Sequence, residues 1–161
     1  YFKVAKNTEH PFVVTAGELD VLVTGTTFGV RAYKDEKDIQ TTLESGHVTV
    51  QVEGKSVKLI PNKQALFDKL TMGLEVRDVD VDLYLAWADG RLVYDNCPLE
   101  KILSDLGRWY NINVFYNRDE LRSYQFSLNM KKHEEFTHVL ELIGKTGEVQ
   151  FEIKDNTVIV K

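Results

Sequence analysis

The chain has 161 residues, 43% hydrophobic and 28% charged, with a net charge of −5 and a pI near 5.4. That length suits one ordinary domain or two small ones, and the acidic balance gives no electrostatic pull toward nucleic acid or an anionic membrane surface. A single cysteine excludes an internal disulfide, and the apolar runs are too short for a transmembrane helix or a signal peptide. The chain begins abruptly at Tyr1, as if in mid-sequence, and reads as a soluble segment of a longer protein.

Residues 1–70 read as all-β, a sandwich, barrel or β-roll. Short runs rich in β-branched and aromatic residues begin at Phe12, Leu19, Thr27, Ile39, Val48 and Val57. Breakers separate them at Ala16-Gly17, Thr24-Gly25, Lys34–Asp38, Ser45-Gly46, Glu53-Gly54 and Pro61-Asn62, at the spacing of about eight to twelve residues that marks such folds. Val48, Val50 and Val52 alternate with Thr49 and Gln51, so one face is buried. Glu53-Gly54 suits a tight hairpin, and Gln64–Asp68 is one last strand. Residues 71–86 read as an ordered connector, with strand-like alternation from Val79 to Leu83.

Residues 87–161 read as a small α+β domain, two helices packed on a short sheet. Asp89-Gly90 is a turn and Leu92–Tyr94 a strand. Pro98 fits the first helical position, which makes Cys97 the N-cap. Leu99, Ile102, Leu103, Leu106 and Tyr110 recur at helical spacing, and Asn111 stops the helix. Ile112, Val114 and Tyr116 resume with period two, as do Phe126, Leu128 and Met130. Phe136, Val139, Leu140 and Ile143 form a second apolar helix face, with Glu134 and Glu135 in its first turn and Gly144 or Gly147 as its stop. Val149–Lys154 and Thr157–Val160 close the chain as a hairpin turned at Asp155-Asn156.

The residue types that carry chemistry do not assemble. His133 and His138 are separated by five positions, not the three or four that align ligands on a helix, and His10 and His47 stand apart. Asp78, Asp80 and Asp82 read as a solvated strand face rather than a calcium site. Cys97, at a helix start, would have a lowered thiol pKa, but no partner in sequence activates it. Gly25–Gly29 lacks the lysine and helix of a phosphate loop. Trp87, Trp109 and Tyr110 read as core, with a ligand-lined cleft as the competing reading. The expectation is a protein that is not an enzyme and holds no metal and no cofactor.

Specific stretches go further. Phe12–Tyr33 (FVVTAGELDVLVTGTTFGVRAY), Leu43–Val50 (LESGHVTV) and Leu59–Ala65 (LIPNKQA) closely resemble the FecR family. Trp87–Leu99 (WADGRLVYDNCPL) with Leu106–Ile112 (LGRWYNI) resembles the C-terminal domain of FecR-like proteins of Bacteroidetes-type bacteria. That domain is similar to the short N-terminal domain of secretins and TonB-dependent receptors. Three positions depart from the family pattern: Gly29 stands where asparagine is usual, Asn62 where glycine is, and Cys97 where threonine is. The family's cytoplasmic anti-sigma region and its single membrane helix are absent from this sequence, as is the first part of the β domain.

The resemblance implies the periplasmic sensory part of a single-pass inner-membrane anti-sigma factor. Its partners would be the periplasmic signalling domain of a TonB-dependent outer-membrane receptor and, through the absent cytoplasmic region, an extracytoplasmic-function (ECF) sigma factor. Nucleic acid is not among the expected partners, and membrane contact would come only through the absent helix. Recognition by strand addition to an open sheet edge makes the terminal strand one candidate: Asp155, Asn156, Thr157, Val158, Ile159 and Val160. Two other readings are a periplasmic carbohydrate- or peptide-binding sensor using Trp87, Trp109 and Tyr110, and an assembly domain of a secretin-like complex.

Overall fold

Alternation of buried and wet residues builds the first of two units, Tyr1–Asp89 and Gly90–Lys161. The computed structural model describes residues 1–131 and 135–161. The expectations placed on His133 and Glu134 lie outside the described residues.

Nine strands make up the first unit: β1 (Phe2–Lys3), β2 (Phe12–Ala16), β3 (Leu19–Val23), β4 (Thr27–Arg31), β5 (Asp38–Ser45), β6 (Val48–Val52), β7 (Lys55–Leu59), β8 (Lys63–Asp68) and β9 (Gly73–Asp78). They form two antiparallel sheets, ordered β2-β3-β6-β7 and β1-β4-β5-β8-β9. Leu19, Val21 and Val23 face inward from β3, and Val48, Val50 and Val52 from β6. They share one apolar core with Phe28, Ile39, Leu43 and Phe67 of the other sheet. Glu53 and Gly54 both take positive φ, so a two-residue turn joins Val52 to Lys55, as the sequence predicts.

Residues 71–86, expected as a connector, belong to the first unit. Strand β9 pairs with β8 from Asp68↔Gly73 to Lys63↔Asp78. The strand-like period from Val79 to Leu83 does not form a strand. Asp80 accepts the backbone N–H of Asp82 through Oδ1 at 3.1 Å, and this local turn starts helix α1 (Asp82–Leu85), followed by a 3-10 turn over Ala86–Asp89. An aspartate offering its own backbone a partner outcompetes a four-residue alternation.

A row of residues across the five-stranded sheet explains where α1 lies. Gly29, Thr42, Gln64 and Arg77 are cross-strand neighbours in that order. Fully buried Gln64 donates to Thr42 Oγ1 at 2.7 Å and accepts from Arg77 Nε at 2.9 Å. The Arg77 guanidinium in turn lies 5.8 Å from the ring centre of Tyr84 in α1. At the far end of the row Leu85 rests on Gly29, where an added Cβ would come within 2.4 Å of Leu85 Cδ2. The glycine that departs from the family pattern is therefore the space that α1 occupies.

The second unit contains β10 (Arg91–Pro98), α2 (Leu99–Tyr110), β11 (Asn113–Tyr116), a 3-10 segment Asp119–Ser123, β12 (Gln125–Lys131), α3 (Phe136–Gly144), β13 (Phe151–Lys154) and β14 (Thr157–Val160). Strands β10 and β12 form an antiparallel pair, and β11, β14 and β13 form a second sheet in that order. Helix α2 buries Leu99, Ile102, Leu103 and Leu106, and α3 buries Val139, Leu140 and Ile143, in one core with Leu92, Phe126, Val158 and Val160. Asn111 takes the left-handed conformation that ends α2. An added Cβ on Gly107 would stand 3.1 Å from the carbonyl of Ile112, so a glycine there lets the returning chain pass close. Buried Asp105 ties α2 to β10, accepting from the Tyr94 hydroxyl at 3.0 Å and from Arg108 at 3.3 Å.

Cys97 is not the N-cap of α2. It pairs with Phe126, and β10 continues to Pro98, which pairs with Gln125. Pro98 itself is the cap residue, at φ −57° and ψ 137°, and the first helical N–H, that of Leu99, is taken up by the carbonyl of Tyr124 at 2.7 Å. Proline's fixed φ suits an extended residue at the strand's end as well as a helical one.

Replacing Gly29 by alanine is expected to lower the thermal midpoint of the first unit, since overpacking a filled site costs about 1–3 kcal/mol. Thermal unfolding of Gly29→Ala, with Leu85→Ala in the same background restoring part of the loss, checks this. Thr41 is fully buried and its hydroxyl has no partner among the described residues. Thr41→Val is expected to stabilise the unit by about 1 kcal/mol, because it removes an unpaired buried polar atom at constant shape. The denaturant midpoint reports it.

Candidate functional site at an open sheet edge

The terminal strand lies inside its sheet. Strand β14 runs parallel to β11, from Asn113↔Thr157 to Tyr116↔Val160, and antiparallel to β13, from Phe151↔Val160 to Lys154↔Thr157. Val158 and Val160 are fully buried. The Asp155-Asn156 turn is equally committed: Asp155 has φ 51°, and Asn156 donates through Nδ2 to the Asn111 carbonyl at 2.7 Å. Both hydrogen-bonding sides of Thr157–Val160 are filled. The expectation that Asp155–Val160 forms an open edge is corrected by this topology.

Strand β13 carries the open edge instead. Gln150 and Lys161 exchange both backbone bonds, at 3.0 and 2.9 Å. Antiparallel ladders alternate, so Glu152 and Lys154 also turn their N–H and C=O groups toward β14, while Phe151 and Ile153 turn theirs outward. No described strand pairs with that outward side. Phe151 and Ile153 project their side chains toward the core face, in register with Val160 and Val158. Ile153 is 42% exposed. Beside Phe151, between α3 and β13, is a shallow hollow lined by Leu140, Glu141, Gly144, Val149, Gln150 and Phe151.

The neighbouring edges differ from that of β13. Residues Asp95 and Asn96 bulge out of the β10–β12 register, with Asn96 at φ 44°, and Pro98 lacks a donor. Strand β12 presents Gln125, Ser127, Asn129 and Lys131 to solvent. The 3-10 segment Asp119–Ser123 packs beside β11. Its Arg122 lies 4.1 Å from the Tyr116 ring centre and reaches Asp119 and Glu100 at 3.1 and 2.9 Å. Burial pushes the Tyr116 phenol up to about 12.

On the other sheet face, Glu152 is bracketed by Lys154 at 2.7 Å and by Lys161. Hydrogen bonds from Lys154 and Lys161, reinforced by their charges, hold its carboxyl down at about 2. Phe115, 62% exposed, lies on this face in register with Ile159.

The remaining sequence candidates disperse. Asp78 pairs with Lys63 Nζ at 2.6 Å, Asp80 builds the local turn, and Asp82 opens α1, so the three do not share a strand face. His47 offers its carbonyl to the Thr26 hydroxyl at 2.8 Å, and the backbone N–H of His10 donates to Asn7 Oδ1. His138 Nδ1 is 3.9 Å from Glu141. Gly25 lies in a bend, and Thr27–Gly29 are the first residues of β4. Trp109 and Tyr110 pack against the second unit's core, Tyr110 5.9 Å from the Phe136 ring. Trp87 belongs to the first unit, edge-on to Tyr1 at 6.4 Å. Phe151, Glu152 and Ile153 are the residues that sequence reasoning passed over. The signal was there: Val149–Lys154 alternates as a half-exposed strand does, while Thr157–Val160 is the continuous apolar run of an interior one.

Residues 1–49 match the family model described as FecR protein, and residues 91–160 match FecR, C-terminal. The chain belongs to the FecR family. Its fold is also that of two crystal structures of proteins assigned as anti-sigma factors in Parabacteroides distasonis ATCC 8503, solved at 1.65 and 2.50 Å. The first has a TM-score of 0.85 and 21% identity, covering 99% of this chain and 74% of that one. The second has a TM-score of 0.84 and 21% identity, covering 98% and 74%. No curated protein matches the chain. Among the described residues, no helix is long and apolar enough to cross a membrane.

The Glu152 carboxyl has a folded-state pKa below its ordinary 4.5. Its stabilising contribution is therefore complete above about pH 4.5 and lost as pH falls toward 2. Urea midpoints of the second unit between these values should fall less steeply for Glu152→Gln than for the unsubstituted chain.

Proposed function

We propose that this chain is the periplasmic sensory part of a membrane-anchored FecR-type regulator. It recognises the signalling domain of a TonB-dependent outer-membrane receptor and passes substrate status to an ECF sigma factor. The observation that carries this reading is the match of both units, each along most of its fold or half of it, to the two FecR models. The FecR family is a regulatory class, and the likeness of fold to proteins assigned as anti-sigma factors agrees with that.

The physical event in this reading is recognition coupled to a two-state response, with no bond made or broken. The second unit is the part suited to contact the receptor, because its sheet keeps one side of β13 available. The sigma factor is reached through a cytoplasmic region outside this chain, joined to it by a single membrane helix.

The test is isothermal titration of the purified chain with the periplasmic signalling domains of TonB-dependent receptors from the same cell. Saturable one-to-one binding by one receptor's domain is expected, with the others silent. If every domain in the panel fails to bind, the reading is wrong.

A further inference from the structure

We infer that the outward side of β13 is a docking site for an extended strand of the partner protein, one carrying apolar residues at alternate positions. This rests on the reading of the chain as a receptor sensor and specifies the surface used. Phe151 and Ile153 each present an N–H and a C=O that no described strand takes up. Groups in that arrangement are matched by an extended backbone and not by a helix face. Residues opposite one another in a sheet share a face, so an incoming residue opposite Phe151 faces the hollow at Leu140 and Gly144. An ideal Cβ on Gly144 would have Phe151 Cδ2 and the Val149 carbonyl no nearer than 3.8 Å, so that wall has no side chain to obstruct an apolar one. The residue opposite Ile153 covers a side chain now 42% exposed. No residue of β10 or β12 is a comparably exposed large hydrophobic.

Charge argues that the occupant is a different chain rather than a second copy. In the two-fold antiparallel register that pairs Phe151 with Ile153 of a copy, the two Glu152 side chains stand directly opposite on one face. Each brings its own Lys154 and Lys161, so two clusters of the same net positive charge meet on one face, and like charges so placed are destabilising. A partner strand with a neutral residue opposite Glu152 meets no such penalty.

The test uses amide hydrogen exchange by NMR on the labelled chain, alone and with the receptor signalling domain that binds it. The amides of Phe151 and Ile153 are expected to gain at least tenfold protection in the complex, while Glu152 and Lys154, already bonded to β14, gain less. Ile153→Pro removes one outward donor without touching the β14 ladder, and Ile153→Lys places a charge at the edge. Both are expected to raise Kd at least tenfold with the rest of the amide spectrum preserved. Binding that leaves Phe151 and Ile153 exchanging as before overturns the inference and spares the receptor reading. Absence of binding by every receptor domain overturns both. Protection of the same amides that grows with the chain's own concentration makes the occupant a second copy, which also overturns it.

Discussion

The second unit depends on one strand. Thr157–Val160 is hydrogen-bonded along both sides, parallel to β11 and antiparallel to β13, and it sends Val158 and Val160 into the core under both helices. Burying a valine fully is worth roughly 1.5–3 kcal/mol, so these two side chains anchor the sheet from its middle. An interior strand leaves the sheet's unmet hydrogen bonds to its neighbours. Strand β11 has a 3-10 segment and a stacked arginine beside it, and β13 has neither. The availability of β13 is thus a consequence of where the last strand inserts.

In the first unit, a cross-strand row replaces the usual solvated outer face. Gly29, Thr42, Gln64 and Arg77 run side by side across four strands, and the buried amide of Gln64 is bonded at both ends. A fully satisfied buried amide is tolerable where a half-satisfied one is not. The row ends in a glycine because α1 needs the room for Leu85. A residue that looks like a lapse from the family pattern is in this way matched to a contact in the residues that follow β9.

Much of this was legible in the sequence. The valines of β6, the apolar face of α2 and the left-handed Asn111 each announce themselves through a period or a conformational preference that tertiary packing does not reverse. What failed was local competition. Asp80 turned a four-residue alternation into a helix start, and Pro98, able to serve as strand end or first helical residue, displaced Cys97 from the cap. The open edge was misplaced because hairpin order does not reveal which strand takes the third partner. Parallel pairing of β14 with β11 joins segments more than forty residues apart, and only burial periodicity hinted at it.

The central claim is that recognition takes place by adding a strand at β13. A crystal structure of the chain bound to a receptor's periplasmic signalling domain addresses it most directly. The account predicts a fourth strand beside β13, bonded to the N–H and C=O groups of Phe151 and Ile153. A complex in which the sheet keeps three strands, with the partner seated on the helices or on the first unit, would contradict it.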